Sequence, residues 1–153
     1  MSLTPFIRVS EDNFDLATES SRLTAGRVDV GAVVTFTGLC RDEGGRLFAL
    51  ELEHYPGMAE EEIGRIARLA IERWPLFGLT VIHRCGRIRP GENIVLVAAA
   101  SAHRQAAFDA ASFLMDFLKT NAPFWKKEHL NGSDGGWVEA KQSDNAAALR
   151  WMR

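Results

Sequence analysis

The stretch that most constrains this chain runs from residue 101 to residue 120. Ala107, Phe108, Ala111, Leu114, Met115 and Leu118 recur there at helical spacing, and they spread over a wider arc than the single stripe of a surface helix. Such a helix has to be covered on two sides. Its end is set by Pro123, which disfavours helical geometry at Ala122, so the helix stops near Thr120 or Asn121 and leaves Lys119 in its last turn. A lysine there complements the negative end of the helix dipole. The residues that follow, Phe124, Trp125, Lys126 and Lys127, are aromatic and basic, and Glu128 closes the run. Taken alone they read equally as a core cap with solvated lysines or as the rim of a site.

The rest of the chain supplies what would cover that helix. Residues 6–9 read as a short strand, and 11–23 as a modest helix carrying Phe14, Leu16 and Leu23. Residues 31–38 are rich in β-branched side chains, and a turn at 42–45 leads from them into a second strand at 47–55; the two read as a hairpin. In the second strand Leu50, Leu52 and His54 share one face, and Glu51, Glu53 and Tyr55 the other. Pro56 and Gly57 end it. Ile63, Ile66, Ala67, Ala70, Ile71 and Trp74 then recur at helical spacing behind the acidic first turn of Glu60, Glu61 and Glu62, and Pro75 stops this second helix. Two more strands, 79–86 and 94–100, flank a turn at 89–92 and read as another hairpin. Beyond the long helix, 132–136 is a Gly-rich linker and 137–140 a short strand. Ser143 would cap a brief terminal helix, with Trp151 either tying the tail down or fraying with it. This order implies one α+β domain over 1–153, a largely antiparallel sheet built from hairpins with helices packed on one side, α/β-hammerhead-like.

Length and charge narrow the function. The 153 residues fit a single domain, and the net charge of -2 argues against a nonspecific nucleic-acid binder, which normally carries a basic excess. No segment approaches the ~20 apolar residues of a membrane span, and the first residues lack a basic end followed by an apolar core, so a cytoplasmic address is expected. The two cysteines, Cys40 and Cys85, form no CxxC pair. Cys85 sits in an apolar run and reads as a core residue; Cys40 precedes Arg41, a cation that could lower its pKa, although a core role is the simpler reading. The four histidines, His54, His83, His103 and His129, have no metal-ligand spacing. Neither a metal nor a resident cofactor is expected.

Chemistry has three places to sit. Arg41 follows the first long strand, His103 and Arg104 open the long helix, and Lys119, Lys126 and Lys127 close it. A cation at a helix N-terminus opposes the dipole unless something anionic compensates, which singles out Arg104. Arginine forks suit phosphate oxygens, and a lysine crowded by other cations more readily loses its proton and serves as nucleophile or base. Together these residues describe a site for an anionic ligand with an activated lysine. A non-enzymatic module that captures an extended peptide tail along a strand edge and a basic groove would account for the same aromatics and lysines. It leaves the three cation clusters unexplained.

The motifs GAVVTFTG (31–38) followed by Arg41, LEHYPGM (52–58), RWPL (73–76), SAHR (101–104) and MDFLKTNAPFWK (115–126) resemble, in order, those of the MoaE family, the large catalytic subunits of molybdopterin synthase. The likeness covers about 31–151. It implies sulfur transfer from the C-terminal thiocarboxylate of a small ubiquitin-like partner, carried on a Gly-Gly tail, to cyclic pyranopterin monophosphate, forming the dithiolene that later binds molybdenum. It also implies a homodimer of large subunits with a small partner at each end, a heterotetramer. Carried over by position, Lys119 would be the central catalytic lysine and Lys126 its neighbour. Arg41, His103 and Arg104 would bind the anionic substrate, with His103 and Arg104 able to serve the neighbouring subunit's site. Leu39, Cys40, Lys127 and Glu128 complete the expected substrate-binding set, and Phe36 and Met115 shape the pocket. The chain departs from the family at Leu39 and Cys40, where members often carry a basic residue. Its hairpin tip at 42–46 is short, and Arg46 is the cation available there to substitute.

Overall fold

The wide apolar arc of the long helix is met by a sheet on one side and a second helix on the other. The computed structural model describes residues 3–121, 124–131, 133–138 and 151. The long helix α3 (Arg104–Asn121) and the helix α2 (Met58–Arg73) lie on one face of a four-stranded sheet. Its strand order is β1 (Phe6–Ser10), β4 (Leu76–Arg84), β6 (Asn93–Ser101) and β2 (Ala32–Leu39). The expected pairing of the 79–86 and 94–100 runs is present as β4 against β6, antiparallel; β1 joins β4 in parallel. The two central strands are nearly continuous apolar runs because both of their faces are covered. Leu79, Val81, Val95, Val97 and Ala99 face α2 and α3, where they meet Ile63, Ile66, Ala67, Ala110, Phe113 and Leu114. Ile82 and Leu96 point the other way, onto Phe14.

That second face carries α1 (Leu16–Thr24), so the helices are not confined to one side as the sequence suggested. The helix starts five residues later than the apolar pattern indicates because the Asp15 carboxylate accepts the Thr18 backbone N–H at 3.3 Å and caps it there.

A second sheet, all antiparallel, runs in the order β5 (Gly86–Ile88), β3 (Leu47–Glu53), β7 (Trp125–Leu130) and β8 (Ser133–Val138). The expected 31–55 hairpin is therefore absent: β2 belongs to the first sheet and β3 to the second. The chain crosses between them at Cys40, whose N–H donates to the Glu92 carbonyl (2.8 Å) and whose carbonyl accepts the Gly91 N–H (2.7 Å). These bonds clamp the crossing onto the turn before β6, and β2 is left to pair along β6 instead of folding back. A second crossing follows β4 at Gly86, in the left-handed region at φ +79, which glycine adopts without strain. Cys40, Leu52 and Ile88 form a small core at the junction, with Phe124 packed against both this core and the main one.

The Gly-rich stretch read as a linker at 132–136 is mostly strand, since β8 begins at Ser133 and pairs with β7. The expected strand at 137–140 therefore starts earlier and its last two residues lie outside the described ones, as does the helix capped by Ser143. Trp151 is tied down. Its ring packs edge-on against Trp74 and Phe113, both at 5.8 Å, and its indole N–H donates to Asp116.

Candidate functional site

The helix α3 returns along the sheet antiparallel to β6, so its two ends mark the two ends of the molecule. His103 and Arg104 lie at the end where β6 finishes and β2 begins. The Gly31 N–H donates to the Ser101 carbonyl at 3.0 Å, and a Cβ on Gly31 would stand 2.1 Å from the Ala102 carbonyl oxygen. Only glycine fits that approach. Ser101 is buried and its hydroxyl donates to the Pro75 carbonyl at 2.9 Å, fixing the turn that presents His103 and Arg104 to solvent. Among the described residues neither of them forms an ion pair.

Lys119 is exposed fifteen residues further along α3, about 22 Å away at ~1.5 Å per residue. One chain therefore does not bring all its cations together. Lys119 shares its end of the molecule with the end of β2 at Leu39, which pairs with Asn93, and the end of β4 at His83, which pairs with Val95. Lys126 reaches the same place from the second sheet. In β7 it pairs with Leu52, so Lys126 and Glu128 take the inner face of that sheet, while Lys127 and His129 take the outer one. Lys127 is thus separated from the other two lysines by the sheet.

The meeting point is His83. Its ring is buried, 8% exposed, and stacks on Phe124 at a centroid distance of 4.1 Å and an interplanar angle of 17°. Its Nδ1–H donates to the Arg84 carbonyl at 2.8 Å in the neutral tautomer this contact selects. Burial pushes the imidazole down to about 4; the Arg84 carbonyl opposes the shift, and the positive charges of Lys126 and Lys119, with the nearby His54, reinforce it. A neutral ring therefore lies within the field of both lysines. Phe124 also contacts the His54 ring at 5.7 Å, so one phenyl ring bridges His83 in the first sheet and a histidine just beyond the end of β3. Arg84 is buried too, with Nε and Nη2 donating to the Glu11 carbonyl (3.2 and 3.1 Å) and Nη1 to that of Asn93 (2.9 Å). It holds backbone.

The remaining expected residues separate into surface and core. Arg41 is exposed, its side chain 74% accessible, and pairs with Glu43. Leu39 and Phe36 are exposed on the edge strand β2, Phe36 on the face that carries α3, where Met115 is half-buried in the main core. Cys40 is 4% exposed, with Sγ 4.0 Å from the Ile88 carbonyl. Burial, then the charges of Glu92, Asp42 and Glu128, push its thiol up, and Arg41 does not offset them because it points to solvent. Cys40 is a core residue, held in its thiol form, and its burial leaves the expected ligand role almost no surface to work with. Cys85 is likewise buried. Arg46 is exposed six residues up β3 from Leu52, about 20 Å from the Lys126 level at ~3.4 Å per residue.

Phe124 caps the core, one of the two readings the sequence offered, but Trp125 does not. It faces outward, 47% exposed, edge-on to Tyr55 at 5.3 Å. On that same outer face His129 Nε2 lies 2.8 Å from Glu51 Oε1 and Arg87 3.8 Å from it. The His129 contact holds the Glu51 carboxyl below its ordinary range. Sequence reasoning passed over His83, His54 and this outer trio. The one signal for His83 was a polar residue closing an otherwise apolar strand. Among the described residues no group of His, Cys, Asp and Glu side chains is arranged to hold a metal ion, and no helix is long and apolar enough to cross a membrane.

Comparison with known proteins agrees with this architecture. The family model described as "MoaE protein" matches residues 9–121. A protein of Mesorhizobium japonicum named molybdopterin synthase catalytic subunit is 72% identical over 150 residues, covering 97% of this chain and 94% of that one. The solved structure of molybdopterin cofactor biosynthesis protein E from Burkholderia multivorans superposes with a TM-score of 0.82 at 43% identity, covering 98% of each chain. A structure described as molybdopterin synthase from Staphylococcus aureus gives 0.77 at 28% identity, covering 86% of this chain and 95% of that one. With most of its length matched by the family model and nearly all of it by close relatives, this chain belongs to the MoaE family.

Proposed function

We propose that this chain is the catalytic subunit of a molybdopterin synthase, moving sulfur from the C-terminal thiocarboxylate of a small ubiquitin-like partner to cyclic pyranopterin monophosphate to form the dithiolene. The observation that carries this reading is the convergence of Lys119 and Lys126, from different layers of the fold, on the one buried imidazole of His83. A pair of cations at the rim of a packed aromatic wall suits an extended anionic tail. Lys119, exposed at the end of α3, orients the thiocarboxylate and handles protons; Lys126 supports it. Arg41, at the same end of the molecule, supplies a guanidinium fork for the substrate phosphate once it exchanges Glu43 for it.

His103 and Arg104 belong to a different site. The ~22 Å between Arg104 and Lys119 along one helix supports a homodimer in which each subunit lends His103 and Arg104 to its neighbour's lysines, with one small partner at each end. The reaction is assigned to the cytoplasm. The test is incubation with a thiocarboxylated Gly-Gly partner and cyclic pyranopterin monophosphate, with detection of the dithiolene product. Removing an oriented charge from such a site costs ~10²-fold or more in rate, so Lys119→Ala is expected to lose at least that. A near-normal rate in that variant would remove Lys119 from the mechanism, and tail binding without turnover by the wild type would favour the peptide-capture module.

A further inference from the structure

The two lysines are held by different parts of the fold, and something has to set their separation. Lys119 ends α3, which packs on the first sheet, while Lys126 sits in the second sheet. Between them in the chain, Phe124 is packed against the cores of both layers. Its ring is covered face to face by His83 from the end of β4 and flanked by His54 beyond the end of β3.

We infer that His83 is a positioning residue for the two-lysine centre: stacked on Phe124 and hydrogen-bonded to the Arg84 carbonyl, it fixes Phe124 at the entry to β7 and hence the placement of Lys126 relative to Lys119. The support behind the ring is rigid. Its Nδ1 is held by a backbone carbonyl, and the guanidinium of that same residue is anchored to the carbonyls of Glu11 and Asn93. The front of the ring meets Phe124, two residues before Lys126. A displacement of the imidazole therefore passes to Lys126 through one aromatic contact. The ring is neutral at working pH, since burial and the facing charges of Lys126 and Lys119, with the nearby His54, disfavour its protonation, so it adds no third cation to a site meant for anions. His83 touches no reacting atom in this account.

The inference rests on the functional reading above, and two readouts keep the two apart. The first is turnover with the thiocarboxylated partner. His83→Asn, which keeps a hydrogen-bond donor but lacks the flat ring, is expected to lower kcat about 10-fold or more while KM for the pterin and affinity for the partner stay within about threefold, as misplacement of a reacting group does. His83→Phe, which restores the stack, is expected to recover kcat to within about threefold of wild type. The second readout needs no activity: the rates at which Lys119 and Lys126 are acylated by an amine-reactive ester, measured by peptide mass spectrometry, with Lys127 on the opposite face as internal reference. His83→Asn should shift the Lys126 to Lys119 ratio and leave Lys127 unchanged; His83→Phe should not. An unchanged ratio with wild-type kcat in His83→Asn, or a loss seen only in KM, overturns the inference. A shifted ratio in a protein whose wild type makes no dithiolene upholds the positioning role and rejects the functional reading.

Discussion

Acidification from pH 7.5 to pH 5 should destabilise the fold by about 2 kcal/mol through the side chain of His83 alone. The ring titrates at an ordinary value of 6.5 when free and at about 4 in the folded chain. Above pH 6.5 it is neutral in both states and contributes no pH dependence. Between 6.5 and about 4 the unfolded chain takes up a proton that the folded ring refuses, so stability falls with pH. Below about 4 both states are protonated and the deficit is constant. At ~1.36 kcal/mol per pH unit the full gap is worth about 3.4 kcal/mol, of which about 2 is reached at pH 5. The charges facing the ring are those of Lys119 from α3, Lys126 from β7 and His54 from the end of β3. None of them is an anion that would rescue the imidazolium. The assay is urea unfolding at fixed protein concentration and ionic strength, followed by tryptophan fluorescence at several pH values from 7.5 to 5.0. His83→Phe keeps the stack and removes the titration, so its stability should fall about 2 kcal/mol less than wild type over that range. Equal losses in the two proteins would refute the reasoning, because other groups would then carry the acid sensitivity. Glu51 is one such group: its carboxyl is held low by His129, so its share is present above its unfolded value and is lost only as pH falls through the lowered folded one. The comparison with His83→Phe cancels it.

Three further outcomes are expected. Lys119→Ala and Arg104→Ala, each inactive as a pure protein, should recover about a quarter of wild-type turnover when refolded together in equal amounts, because half the sites in half of the dimers then combine an intact lysine with the neighbour's intact arginine; no recovery would mean that each chain completes its own site. Arg84→Met should cost about 2 kcal/mol in equilibrium unfolding, since it removes the partly buried, charge-assisted hydrogen bonds that tie the Glu11 and Asn93 carbonyls to β4. Native protein should leave Cys40 unreacted with iodoacetamide while unfolded protein reacts fully, and Cys40→Ala should retain turnover; rapid native alkylation would contradict its place in the core.

Local pattern carried the elements that local physics decides. Pro123 stops α3 where its effect on the preceding residue requires, and the apolar runs of β4 and β6 were legible as two paired strands. Pairing was less legible. β2 and β3 are neighbours in sequence around a turn-forming stretch, but β2 finds its partner in β6, some sixty residues later, and no local feature encodes that. The glycines at 135 and 136 hid β8, because the weak strand preference of glycine is overridden by pairing with β7. Lys119 and Lys126 stood out through the motif that contains them. His83 did not, since a histidine closing an apolar strand looks like an ordinary polar terminus until Phe124 is seen lying on it. The outward turn of Trp125 follows from the period of β7, which the short segment alone was too brief to show.

The crossings at Cys40 and Gly86 have a kinetic consequence. Each sheet can hold its own ladder of hydrogen bonds while the other is still forming, yet Lys126 reaches Lys119 only after β7 has paired with β3, a contact between residues more than seventy positions apart in the chain. Such long-range pairings come late, because loop closure precedes their reward. Competence is therefore acquired late as this chain folds and is lost when the layers part.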